Sequence, residues 1–170
     1  MARFTRRVRR TRRGTYAIGL PQPERELLVS LVDQLREVLE VSTDDPSVRR
    51  LFPTAYHEDP ERDREYQQLV RDELLERRLA ALAIVEESAA AEEVDETQLT
   101  AWLTALNDLR LVLGTRLDVS EDQDAGGLEE LDEDDPRTPA MVVYHYLSGL
   151  LDEIVTALAA DLPAPTEPEM

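Results

Sequence analysis

Residues 102–117 read WLTALNDLRLVLGTRL, and the fold class can be predicted by starting from this stretch. Its tryptophan and leucines recur every three or four positions, which is the spacing of one apolar stripe on an α-helix. The periodicity is the strongest in the chain and predicts a helix over residues 96–117. Three further segments show the same spacing, so the sequence predicts a mainly α fold, a four-helix bundle-like array with an N-terminal β-hairpin.

Each of the three other predicted helices begins beside a proline, which suits the first helical turn. The first helix is predicted at residues 23–41, the second at 60–87 and the fourth at 138–160. A short helical turn is predicted at residues 46–52 and stops at Pro53. The apolar stripe of the second helix predicts that its buried residues are Tyr66, Leu69, Val70, Leu74, Leu82 and Val85.

The N-terminal segment is the one region with a β pattern. Apolar residues alternate from Tyr16 to Leu20, as they do in a half-buried strand. A turn at Gly14 then predicts a hairpin that pairs residues 3–9 with 14–20. Because an isolated two-stranded hairpin is marginally stable in water, we expect this one to dock on the helices.

Charge is divided unevenly along the 170 residues. The chain has 37 acidic and 19 basic residues, all of the latter arginine, for a net charge of −18. Residues 1–13 hold seven arginines and no acid, so the rest of the chain carries 12 arginines, all 37 acids and a net charge of −25. This division predicts a basic arm at 1–20, an acidic helical domain at 21–160 with an acidic loop at 118–135, and a disordered tail at 161–170.

Several chemistries are excluded or disfavoured by composition. The chain has no cysteine, which excludes disulfides, thiolate metal sites and cysteine nucleophiles. His57 and His145 lack metal-ligand spacing, no glycine-rich phosphate loop is present, and residues 122–133 match a calcium loop poorly. We therefore predict a protein that is not an enzyme and has no cofactor and no metal. No stretch approaches the roughly 18 apolar residues of a membrane span, so we expect a cytoplasmic protein with no membrane partner.

The arginines of the arm are the candidate nucleic-acid-binding residues, because arginine neutralises phosphate groups and releases their counterions. The alternative is a structural role, in which arginines protect an exposed edge strand and attract the acidic helices. The seven candidates are Arg3, Arg6, Arg7, Arg9, Arg10, Arg12 and Arg13.

Polar residues also interrupt the leucines of the third predicted helix. Asn107, Arg110 and Gly114 share one face, and Asp108 lies in the adjacent row. Polar groups flanked so closely by leucines are expected to be partly buried and to need hydrogen-bond partners. We favour a structural network tying this helix to the hairpin or to the 49–53 turn over a ligand site. The predicted network consists of Trp102, Asn107, Asp108, Arg110, Gly114, Thr115 and Arg116.

The string at 102–117 resembles the hallmark of an actinobacterial family first catalogued as a domain of unknown function. RLFPTAY at residues 50–56, RLAAL at 78–82 and YHYL at 144–147 fit the same family, so the resemblance covers nearly the whole chain. The family includes the AosR-type oxidative-stress regulators, which are redox-responsive transcription regulators that act with a stress sigma factor. Those regulators sense oxidants through a cysteine pair, which this chain lacks.

Two functions remain open from the sequence. The resemblance implies a regulator, which we expect to contact DNA, a sigma factor or another RNA polymerase component through its arginine arm, without cysteine-based redox sensing. The rival is a protein–protein interaction adaptor whose arm is purely structural. A homodimer is also expected as one state, because a four-helix array of this size often leaves an apolar face uncovered.

Overall fold

A computed structural model describes residues 6–119 and 134–160. Within these ranges the chain is mainly α with a small antiparallel sheet at its N-terminus, which confirms the predicted fold class. Arg3, most of the acidic loop, the weak calcium match and the tail lie outside the described residues. The elements are β1 (Val8–Arg10), β2 (Tyr16–Ile18), α1 (Gln22–Val41), a 3-10 turn (Pro46–Leu51), α2 (Pro60–Ser88), β3 (Glu93–Val94), α3 (Glu96–Arg116) and α4 (Thr138–Ala159).

The sheet has three strands in the order β1-β2-β3, one strand more than the predicted hairpin. Val8 lies opposite Ile18, and both side chains are buried against the helices. The short β3 pairs Val94 with Tyr16 on the other side of β2. Two residues are too few to show an alternating pattern, which is why the sequence does not reveal β3.

Local side-chain caps fix where the helices begin. The carboxylate of Asp59 accepts from the backbone N–H of Arg62 at the start of α2, over 3.0 Å. At the start of α3, Asp95 and Gln98 form a reciprocal capping box. These contacts satisfy backbone donors that a helix terminus otherwise leaves without partners.

The N-terminal half of α2 is more exposed than its apolar stripe predicts. Tyr66 is 39% exposed and Leu69 is 81% exposed, so their prediction as buried residues was wrong, whereas Leu82 and Val85 are buried. The physical reason is length: α2 has 29 residues, about 44 Å, and α1 has 20, about 30 Å. The first turns of α2 therefore extend past the helices that cover its second half.

The central element of the core is α3, which packs against α2, α4 and the 3-10 turn. Trp102 is fully buried, and its indole N–H donates to the Ser88 hydroxyl over 2.8 Å. The helix ends where Asp118 adopts a left-handed conformation, with φ of 55°. The N–H of Val119 then bonds to Gly114 O over 2.9 Å, which closes a Schellman motif. Among the described residues, no helix is long and apolar enough to cross a membrane.

Candidate nucleic-acid interface

The structure places most of the arm's arginines on the surface of the sheet. The exposed arginines just before β1, in β1 and in the turn that follows it form what we call the hairpin cations: Arg6, Arg9, Arg10, Arg12 and Arg13. Within residues 6–119 and 134–160, β1 is an edge strand, and these arginines lie on it or beside it. Positive charge is thus concentrated at one end of the sequence of a strongly acidic protein.

Arg7 differs from the hairpin cations, because its guanidinium binds the helices although 38% of its side chain is exposed. Its guanidinium donates to Glu24 over 3.0 Å, lies 3.7 Å from Glu153 and stacks 5.5 Å from the centroid of the Tyr146 ring. Its hydrogen bond with Glu24 raises the pKa of Arg7 further above its ordinary value. Arg7 is therefore a structural contact between β1 and two helices.

Carboxylates on α1 and α4 complete this attachment. One oxygen of Glu153 accepts from the backbone N–H groups of Arg7, over 2.6 Å, and Val8, over 3.2 Å. The Tyr146 hydroxyl donates to Glu24 over 2.8 Å. Burial, followed by the hydrogen bond to Glu24, raises the pKa of Tyr146 well above its ordinary value. The phenol stays protonated, so this donor persists across the physiological pH range.

Arg25 holds the other side of the sheet and was not predicted from sequence. Its guanidinium donates to the carbonyl oxygens of Leu20 and Ile18, and to those of Ala89 and Ala91 after α2. One side chain thus satisfies four backbone acceptors and joins β2 to the α2–β3 connection. The hairpin is docked on the helical body from both sides, as its marginal intrinsic stability requires.

The predicted network of α3 is centred on Asp108, which is 2% exposed. Its carboxylate pairs with Arg78 of α2, and Arg78 also donates to Leu51 O over 2.7 Å. Burial raises the pKa of Asp108 above its ordinary value, and the Arg78 guanidinium opposes that rise. The Asp108–Arg78 pair therefore joins α3, α2 and the 3-10 turn. This turn, at residues 49–53, is one of the two segments to which the network was predicted to connect α3.

Other members of the predicted network lie further along α3. Asn107 and Arg110 are half-buried and are joined by a hydrogen bond of 3.3 Å from Arg110 to the Asn107 side-chain oxygen. A Cβ at Gly114 would lie 3.3 Å from both the Arg50 guanidinium and the Tyr144 ring, so a larger residue would crowd both neighbours. The Thr115 hydroxyl donates back to Leu111 O within its own helix.

The residues of the predicted network do not all lie in one cluster. Arg116 is exposed at the end of α3 and Trp102 is buried near its start, so neither contacts Asp108 in a common cluster. Arg50 donates to Val119 O over 2.9 Å, which adds a second link between the 3-10 turn and the end of α3. Arg50 and Arg78 both lie in segments that carry the family resemblance, residues 50–56 and 78–82. This resemblance is the sequence signal that could have identified them as functional or structural residues. The described residues contain no group of three or more histidine, aspartate or glutamate side chains arranged to hold a metal ion.

The fold and these contacts define a small helical domain with a docked, arginine-rich N-terminal hairpin and a buried ion pair in its central helix. The chain belongs to the family described as Domain of unknown function (DUF2017), whose model matches residues 1–158. This confirms the family resemblance of the 102–117 string.

The family match is accompanied by similarity to curated proteins. The chain is 29% identical over 149 residues to the oxidative stress regulator AosR of Mycobacterium tuberculosis and to that of Mycobacterium bovis. The alignment covers 74% of this chain and 66% of each relative, so it spans slightly less than two thirds of their length. No solved structure matches the chain.

Proposed function

We propose that this protein is a cytoplasmic, non-enzymatic regulator that contacts DNA through its hairpin cations and does not sense oxidants through cysteine. The observation that carries the proposal is the exposure of these five arginines on a hairpin that the fold holds in place. The naming of its relatives as oxidative stress regulators supports a regulatory role. DNA is the partner that the arginine chemistry favours over a sigma factor or polymerase subunit, because phosphate contacts need no shaped protein surface.

The distribution of charge supports an interaction confined to the hairpin. The body carries a net charge of −25 and repels phosphate, whereas the β1 edge presents guanidinium groups within one short segment. Acidic residues lie at the opposite edge of the sheet, where the Thr15 hydroxyl donates to Glu93 over 2.9 Å. We expect DNA to approach from the β1 side and the turn, away from β3.

The test compares two triple variants of equal charge. One replaces Arg9, Arg12 and Arg13 with glutamine, and the control replaces three exposed arginines of the helical body with glutamine: Arg49, Arg64 and Arg77. Fluorescence anisotropy with a labelled duplex at low salt should show weaker binding for the hairpin triple and near wild-type binding for the control. Equal affinity of both variants, or no binding by the wild type, would reject the proposal.

Substitution is a cleaner test than removal of the arm. Val8 is 1% exposed and belongs to the core cluster, so deleting residues 2–13 would remove core packing as well as charge. Loss of a buried valine destabilises the fold through lost apolar contacts. The glutamine triple leaves the β1–β2 pairing and Val8 in place.

A second candidate function is favoured by the exposed half of α2. Tyr66 and Leu69 lie three residues apart on this helix, and exposed apolar groups at that spacing suit a partner protein. In this adaptor role the hairpin is structural. A Leu69→Ser variant that loses a co-purifying partner, while the hairpin triple retains it and the wild type binds no DNA, would favour the adaptor.

A further inference from the structure

The tip of the hairpin is a tight turn that presents two adjacent arginines. The N–H of Gly14 donates to Thr11 O over 3.3 Å, which is the bond that closes a four-residue β-turn. Arg12 and Arg13 are its two central residues, and both are exposed. Gly14 has a φ of 81°, a left-handed conformation that glycine adopts without steric cost. Since consecutive Cα atoms lie about 3.8 Å apart, the two arginine side chains leave the backbone from neighbouring points.

Hydrogen bonds hold the backbone of this turn in place. The N–H of Thr11 donates to Thr15 O over 2.8 Å, and the hydroxyls of these two threonines share a hydrogen bond of 2.7 Å. The N–H of Arg13 donates to the Thr11 hydroxyl over 3.2 Å, and the Thr15 hydroxyl donates to Glu93 of β3. The turn is therefore ordered before any partner binds, which lowers the entropic cost of placing its arginines on that partner.

The paired strands offer few side chains that could read the major groove of DNA. Three residue pairs join β1 to β2, which is about 10 Å of strand. Val8, Ile18 and Tyr16 are buried against the helices. The remaining pair is Arg9 opposite Ala17, so the outward face of the paired strands has one cation at its centre. A β-ribbon that reads the major groove needs several outward side chains along the base edges, so the tip is the better-equipped part of this hairpin.

Acidic residues limit how much of the sheet can approach DNA. Exposed carboxylates flank β3, on the side of the sheet away from β1: Glu92, Glu93, Asp95 and Glu96. They repel phosphate, as does the net charge of −25 on residues 14–170. A duplex lying across the whole sheet would bring its phosphates close to these acids. A contact made by the tip of the hairpin keeps the phosphates at a distance from them.

We propose that Arg12 and Arg13 enter the minor groove of DNA and that the protein therefore prefers A·T-rich duplexes. A·T tracts have a narrow minor groove with an enhanced negative potential, which attracts inserted arginines. The minor groove is about 6 Å wide and admits these side chains. In G·C pairs the guanine amino group adds a donor to this groove, where it opposes the donors of a guanidinium. This inference rests on the proposed DNA contact and assigns its groove and its base preference.

Three duplexes of equal length and charge test the groove. One has a central tract of A·T pairs and the second a tract of G·C pairs. In the third, inosine replaces guanine, which removes the minor-groove amino group and leaves the major-groove donors and acceptors unchanged. Fluorescence anisotropy with the full chain should show the A·T and inosine duplexes bound about tenfold more tightly than the G·C duplex. An inosine duplex bound as weakly as the G·C duplex would assign any preference to the major groove and overturn the proposal.

The remaining outcomes separate this inference from the proposed function. Equal affinity for all three duplexes would overturn the minor-groove contact and leave the hairpin cations as a contact to phosphate alone. Absence of binding to every duplex at low salt would reject the DNA contact and the minor-groove contact together.

Two double lysine variants locate the contact without changing the charge. Lysine is more strongly hydrated than arginine, so it loses more on entering a narrow groove. Arg12→Lys combined with Arg13→Lys should reduce the A·T preference to within about twofold and leave the salt dependence of binding unchanged. The matched variant, Arg6→Lys with Arg9→Lys, changes cations outside the turn. It should alter the affinity for the three duplexes by the same factor and so retain the preference. Equal preferences in the two variants would contradict the assignment to the tip.

Discussion

The arginines inside this fold and those on its hairpin differ in how their N–H donors are used. Arg25 donates to four backbone carbonyls, and Arg78 joins a buried carboxylate to the 3-10 turn. Arg9, Arg12 and Arg13 are exposed on the β1 edge and its turn. The same residue type is therefore structural in one region and available to a partner in the other. Arginine density alone does not make this distinction, since Arg7 lies within the arm and still binds the helices.

Among the arginines, we expect substitution of Arg78 to have the largest effect on stability. Arg78→Met leaves the Asp108 carboxylate buried without its cation and Leu51 O without its donor, so we expect a loss of about 3 to 5 kcal/mol in the free energy of unfolding. The adjacent Arg77 forms an exposed ion pair with Glu73, and Arg77→Met should change stability by no more than about 0.5 kcal/mol. Urea denaturation of both variants measures the difference. Similar losses in the two variants would mean that the buried pair is not a structural anchor.

Arg25 should come next in size. Arg25→Met removes the donor to four carbonyl oxygens, two of which belong to Ile18 and Leu20 beside the sheet. We expect a loss of about 2 to 3 kcal/mol, because some of these oxygens regain bonds from water. Arg25→Lys should recover part of the loss, since an ammonium cannot match the planar fork of a guanidinium. Hydrogen exchange would show faster exchange at β2 amides, and unchanged protection there would argue against Arg25 as the clamp.

A smaller effect concerns the pH dependence of stability at Asp108. Its pKa is raised above 3.8 in the folded chain, chiefly by burial, so the folded state binds this proton more tightly than the unfolded state does. Ionisation of Asp108 therefore lowers stability as the pH rises from the unfolded pKa, about 3.9, through the folded one. Over that window wild type should lose stability relative to Asp108→Asn, and at higher pH the difference should be constant. Denaturation at stepwise pH values tests this, and a pH-independent difference would contradict it.

The smallest effect on stability is expected for the hairpin cations. Replacing Arg9, Arg12 or Arg13 with glutamine removes exposed charge and no described core contact, so each change should alter the free energy of unfolding by at most about 0.5 kcal/mol. Thermal denaturation of the single variants and the triple provides the measurement. A large loss in any of them would assign that arginine to the structural group, with Arg7.

The helices could be predicted from the sequence because their apolar spacing and the prolines at their starts are local signals. The helix over the 102–117 stripe and the start of α2 at Pro60 appear in the structure as predicted. The buried face of α2 was wrong at Tyr66 and Leu69, because an apolar stripe does not reveal whether another helix is long enough to cover it.

The candidate sites could be predicted from the sequence only in part, because the contacts that form them are not local in the chain. Sequence singled out Asp108 and the arm, but it did not pair Asp108 with Arg78 or identify Arg25 as a clamp, since both contacts join residues far apart in the chain. It also treated the seven arginines of the arm as one set. The structure separates Arg7 from the hairpin cations, because Glu24, Glu153 and the Tyr146 ring lie beside its guanidinium.

The salt dependence of DNA affinity shows whether the hairpin cations contact phosphate groups. Each phosphate neutralised by a protein cation contributes about 0.9 to the slope of log affinity against log salt concentration. Replacing Arg9, Arg12 and Arg13 with glutamine should lower the slope by about 2 to 3, while the equal-charge control at Arg49, Arg64 and Arg77 should leave it unchanged. Equal slopes for the two triples would contradict the claim that the hairpin is the part of this protein that contacts phosphate.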